Sequence, residues 1–198
     1  MTTARPSGRR TLLLVTVLLA LPFAIAFGLY WFEWRPARLG NHGQLIEPPR
    51  PLPETGLRHR DGRPLPTEEL RHKWTLVLVN GGSCESVCQD DLQKIRQVQV
   101  ALNKEMMRLR RLLLATGTGA LDADPALADI QRQFPDLLIA APAENAAGAA
   151  MRGRFDGGAY RFYVVDPLGN VMLRYPDKPD MRGMLKDLER LLKYSWVG

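Results

Sequence analysis

The chain of 198 residues has two cysteines, Cys84 and Cys88, in the stretch Gly-Gly-Ser-Cys-Glu-Ser-Val-Cys-Gln-Asp-Asp that runs from Gly81 to Asp91. Thiols at this spacing can close a disulfide if Cys84 leaves helical geometry, so that the two Cβ atoms come within about 4 Å of each other. Gly81 and Gly82 give the backbone that freedom. Reduced, the same atoms are a pair of soft donors suited to cuprous ion. Cys84 and Cys88 are therefore both the candidate catalytic residues and the candidate metal ligands. A purely structural disulfide is the competing reading in an exported protein. The loop it would close is so short that it constrains little of the unfolded chain.

The flanking sequence must position the pair. Trp74 to Val79 is a short, almost uninterrupted run rich in β-branched and aromatic residues, as expected of a strand buried on both faces. Asn80, Gly81 and Gly82 break it. Ser86 and Gln89 have the spacing of a capping box, which starts a helix there. Leu92, Ile95, Leu102, Met106 and Leu109 follow as one stripe of a long helix. This places Cys84 in an exposed loop and Cys88 in the first helical turn. Unpaired N–H groups and the positive helix end favour thiolate at that place, whereas Glu85, Asp90 and Asp91 oppose it. Strand-to-helix loops are where α/β sheets put their sites.

Further along, Arg111 to Ala115 reads as a strand, Ala126 to Phe134 as a short helix and Leu137 to Ala140 as a short strand. Tyr160 to Val165 and Val171 to Tyr175 form a hairpin around an Asp-Pro-Leu-Gly-Asn turn. Leu185, Leu188, Leu191 and Leu192 mark a closing amphipathic helix. Asp61-Gly62 suggests a small hairpin after Leu57. The pattern is an α/β sandwich.

From Thr11 to Phe32 no residue is charged, a run longer than the roughly 20 apolar residues that cross a bilayer core. Arg5, Arg9 and Arg10 precede it, which keeps the N-terminus cytoplasmic. The expected organisation is a cytoplasmic tail (1–10), a transmembrane anchor (11–34), a Pro-rich stalk (35–54) and one domain (55–198). Cleavage after Ala24-Ile25-Ala26 is the alternative, and both readings export the domain. The net charge of +6 includes the three arginines of the tail. The remaining cations are scattered and accompany no nucleic-acid motif.

The anchor, the strand from Trp74 to Val79, the Cys-x-x-x-Cys pair and the later Tyr163-Val-Val-Asp-Pro-Leu-Gly169 segment together resemble the Sco/SenC proteins. Over residues 55 to 195 the resemblance implies a thioredoxin-like fold and a single-pass protein of the inner membrane with its domain in the periplasm. It implies copper as the cofactor and a copper-site subunit of cytochrome c oxidase as the partner. Two departures qualify it. Gln89 stands where the family usually has Pro, and Phe155-Asp-Gly-Gly-Ala159 lacks the copper-binding His that the family carries before the late Tyr. His72 lies at the far end of the strand from the cysteines, and His42 and His59 read as surface residues. Met106, Met107, Met151, Met172, Met181 and Met184 read as core filler. The resulting expectation is an oxidase assembly factor, a thiol–disulfide oxidoreductase in which Cys84 attacks and Cys88 resolves, or a handler of cuprous ion. A noncatalytic scaffold and a general thiol reductase are the alternatives.

Overall fold

In the computed structural model, which describes residues 8–32, 40–117, 125–155 and 160–195, eight strands form one sheet. They are β1 (Gln44–Pro51), β2 (Leu57–His59), β3 (Pro64–Leu65), β4 (Trp74–Asn80), β5 (Leu109–Ala115), β6 (Leu138–Pro142), β7 (Tyr160–Val165) and β8 (Asn170–Pro176), in the order β1-β8-β7-β4-β5-β6-β2-β3. The helices are α1 (Gly8–Trp31), α2 (Ser86–Ala101), α3 (Pro125–Gln133), α4 (Ala146–Arg154) and α5 (Met181–Tyr194).

The apolar run of β4 has to be covered on both sides, and it is. It pairs parallel with β5 and antiparallel with β7. Its side chains alternate between two cores: Leu76 and Leu78 join α2, α3 and α5 on one face, while Val77 and Val79 join Met151 of α4, Leu52 and Tyr163 on the other. Each fully buried aliphatic side chain contributes about 1.5–3 kcal/mol. The α/β thioredoxin-like architecture expected from the sequence is the one observed.

The two units of the chain are residues 1–40 and 41–198. In the first, α1 has 24 residues, about 36 Å at 1.5 Å per residue, and is long and apolar enough to cross a membrane. Leu12, Leu14, Leu18 and Phe23 are exposed along it.

The stalk expected over 35–54 is corrected by the second unit. Gln44–Pro51 is an edge strand on β8, and Ile46 and Leu52 are buried. Prolines are tolerated here because an edge strand needs ladder donors on one side only, and the register slips between Leu45 and Arg50, around Pro48 and Pro49. Residues 35–39 lie outside the described ones. Asp187 of α5 secures the entry to β1: its buried carboxylate accepts hydrogen bonds from the backbone N–H groups of His42 (2.9 Å) and Gly43 (2.8 Å) and from the Tyr175 hydroxyl (3.0 Å).

Two further expectations are corrected. The long helix ends at Ala101 rather than running through Leu109. Asn103 takes φ 51°, a left-handed conformation that asparagine tolerates, and a 3-10 segment (Asn103–Arg108) leads into β5, where Leu109 pairs with Trp74. Met106 and Met107 are accordingly exposed at 36% and 68%, whereas Met151 and Met184 fill the cores.

Candidate thiol–disulfide site

The strand β4 ends at Asn80, the cysteine loop follows, and α2 starts at Ser86. Cys84 and Cys88 lie beyond the C-terminal end of this inner strand and are joined as a disulfide with Cα atoms 5.1 Å apart. Both members of the expected pair are thus brought together where the sequence places them.

Their exposure differs from expectation. Cys84 is 1% and Cys88 3% exposed, packed in the core that contains Leu78 and Leu92. Cys84, bonded to Cys88, packs with it against the core under α2 rather than facing solvent from the loop. Gly81, Gly82, Ser83 and Glu85 of the loop, with Ser86 and Val87 of the first turn of α2, form the exposed rim, Val87 being 63% exposed. Reaction of either sulfur with a protein partner therefore requires the loop to open.

The capping box is also corrected. Glu85, in an extended conformation, is the N-cap and makes no side-chain cap bond, and Ser86 is already helical. The Gln89 side chain turns back and donates to the Cys84 carbonyl at 3.2 Å. Gln89 thus holds the loop that carries Cys84. Other ties fix the start of the loop. Asn80 Nδ2 donates to the Gly82 carbonyl at 2.5 Å, and the Thr116 N–H donates to the Asn80 carbonyl at 2.8 Å. Gly117 packs so closely that a Cβ there would stand 2.6 Å from the Gly81 carbonyl oxygen.

One charged group near the pair was not legible in the sequence as a partner. Arg161 of β7 places Nη1 3.1 Å from Asp91 Oδ2 and 3.2 Å from Asp177 Oδ1. Asp91, three residues after Cys88, is 4% exposed, and its other oxygen lies 3.0 Å from Lys94 Nζ.

Among the described residues, no third copper donor is found near the pair. Among the described residues, no group of three or more His, Cys, Asp and Glu side chains could hold a metal ion. His42 stands beside Asp180 (3.8 Å), His59 beside Glu69 (3.7 Å) and His72 beside Glu68 (3.6 Å). Asp156 to Ala159, the stretch that corresponds to the family's His, lies outside the described residues. The bonded sulfurs present no thiolate, and on reduction they supply two soft donors.

The model of a family described as a transmembrane-like, thioredoxin-like, C-terminal domain matches residues 74–195. The chain belongs to this family. Many of the solved structures that share its fold are of Sco/SenC proteins. Yeast Sco1 superposes with a TM-score of 0.61 at 19% identity over 76% of this chain and 98% of the solved Sco1 chain. Yeast Sco1 with copper bound gives a TM-score of 0.58 at 18% identity, over 76% and 96% of the two chains. BsSco, from the Sco family of cytochrome c oxidase assembly proteins and known for a disulfide switch, gives 0.53 at 15%, over 76% and 99%. No curated protein matches in sequence. At these identities the likeness is one of fold.

Proposed function

We propose that this chain is a membrane-anchored, extracytoplasmic assembly factor of cytochrome c oxidase that exchanges a disulfide with the cysteines of a copper-site subunit. The observation that supports this reading most directly is the closed Cys84–Cys88 bond at the strand-to-helix loop, between residues that the fold holds at disulfide distance. Arg5, Arg9 and Arg10, ahead of the uncharged run that starts at Thr11, favour a cytoplasmic N-terminus, with the domain on the periplasmic side of the inner membrane.

In the reduced chain the Cys84 thiolate attacks a disulfide of the partner, and one partner sulfur leaves as thiolate. The Cys88 thiolate then attacks Cys84 in the mixed disulfide and releases the second partner sulfur. Two electrons pass to the partner, which becomes a dithiol, while Cys84 and Cys88 become the disulfide. An external dithiol must return the pair to its reduced state. Cys84 sits in the loop after Gly81 and Gly82 while Cys88 is held in α2, which favours Cys84 for the attacking role.

The test uses full-length protein in which Cys88 is replaced by Ser, mixed with the oxidised copper-site subunit. A mixed disulfide through Cys84 is expected to accumulate, and Cys84→Ser should trap none. Full oxidase assembly in cells carrying the doubly substituted chain would instead identify a scaffold. A reading as a cuprous-ion handler is favoured by the same two sulfurs. It predicts that anaerobic cuprous retention by the reduced protein is lost in both Cys84→Ser and Cys88→Ser.

A further inference from the structure

The strands β7 and β8 pair out of step at two places, between Val164 and Val165 and between Tyr160 and Phe162. Tyr160 faces Pro176 and Phe162 faces Tyr175, so three residues of β7 span two of β8 and Arg161 is the extra one. Strict alternation would put Arg161 on the side of Tyr163 and Val165, in the core away from α2. A bulge re-aims the residue it contains. The Arg161 guanidinium accordingly reaches Asp91, on the helix that covers the opposite face.

From there it meets both ends of the cysteine loop. Nη1 contacts Asp91, one helical turn beyond Cys88, and Nη2 lies 3.5 Å from Oδ1 of Asn80, the last residue of β4. Asn80 in turn holds the Gly82 carbonyl, and Asp177 braces the guanidinium from beyond β8 at 3.2 Å. One planar fork spans these partners, which a point charge could not do.

We propose that Arg161 is a positioning residue for the Cys84–Cys88 pair, tying the start of the cysteine loop to the first turns of α2 and so favouring the disulfide over the dithiol. Breaking the bond frees the loop. The more firmly its ends are held, the less conformational freedom the dithiol form gains. The inference rests on the redox reading above. A purely electrostatic role would act in the other direction, because a nearby cation stabilises thiolate and hence the reduced pair.

The test equilibrates full-length protein in detergent micelles, without oxygen, with reduced and oxidised dithiothreitol at pH 6. This is below the ordinary thiol pKa of about 8.5, so charge on sulfur contributes little. Two electrons and two protons pass from dithiothreitol, which closes its own ring, to the pair, whose S–S bond breaks. Arg161→Gln is expected to lower the equilibrium constant for disulfide formation about three- to tenfold, tenfold being about 30 mV. Arg161→Lys should follow Arg161→Gln, because it keeps the charge but not the fork. Asp91→Asn should move the constant in the same direction as Arg161→Gln.

The proposal is overturned if Arg161→Gln keeps the parent constant, if Lys restores it, or if Arg161→Gln and Asp91→Asn move it oppositely, as charge alone would. Should Arg161→Gln fail to fold, Asp91→Asn, which preserves side-chain shape, carries the same test. A pair that dithiothreitol cannot reduce in the parent sinks the redox reading and this inference together. A pair that cycles but ignores Arg161 and Asp91 sinks this inference alone.

Discussion

Asp91 on α2 and Asp187 on α5 are buried to nearly the same degree, at 4% and 3% exposure, under the same face of the sheet. Their surroundings are opposite. Asp187 accepts from two backbone N–H groups and one hydroxyl, all within the fold. Asp91 faces cations instead: the half-exposed Lys94 and Arg161, whose N–H groups are not aligned on Oδ2, so that this oxygen has no hydrogen bond. Buried polar groups in a settled structure are hydrogen-bonded. The comparison teaches that the well-satisfied aspartate locks architecture, here the entry of the chain into β1, while the poorly satisfied one lies one helical turn beyond Cys88, where the proposed redox change would take place.

The largest effect that would test this contrast is on stability. Asp187→Ala leaves the His42 and Gly43 N–H groups and the Tyr175 hydroxyl without their acceptor, and should cost about 3–5 kcal/mol in denaturant unfolding. A cost no greater than that of Asp91→Asn would erase the distinction.

Tyr175 sharpens it through pH. Burial first, then the charge of Asp187 and the hydrogen bond to it, raise the Tyr175 hydroxyl above its ordinary value of 10.0. The unfolded chain ionises as pH rises past that value while the folded chain does not. The stability contributed is therefore complete below pH 10 and is lost progressively above it. Tyr175→Phe should cost about 1 kcal/mol at neutral pH and flatten this alkaline decline in unfolding measured from pH 9 to 11. An unchanged decline would show that the clamp does not control it.

The smallest effect belongs to Asp91→Asn. Arg161 keeps Asp177, and Lys94 is half exposed, so no buried charge is stranded. The expected cost is below about 1 kcal/mol. A cost of several kcal/mol would make Asp91 a second structural lock.

Much of the site was readable because its signals are local. The apolar run of β4, the glycines after it and the two cysteines four residues apart specify a strand, a bend and a closable pair by their order alone. The hairpin of β7 and β8 was equally plain, since Asp166 and Gly169 are turn residues and Gly169 takes φ 89°. Helix α4 gave no such signal: its Ala- and Gly-rich sequence carries no apolar stripe, and Met151 and Phe155 reveal their role only when buried against the sheet. The prolines of β1 suggested a stalk because a ladder on one side is invisible until β8 is in place.

By itself, then, the sequence determined the long apolar helix, the inner strand and the cysteine pair, all of which depend on residues close together in the chain. Only the tertiary structure decided that both sulfurs are buried, that Gln89 holds the Cys84 carbonyl and that the domain begins at 41. It also decided that a single extra residue in β7 turns Arg161 towards Asp91, 70 residues earlier in the chain. Burial and charge pairing are properties of surfaces that meet only on folding, and a one-residue slip in strand register, which reverses the face a side chain occupies, leaves no mark in a pattern read along the chain.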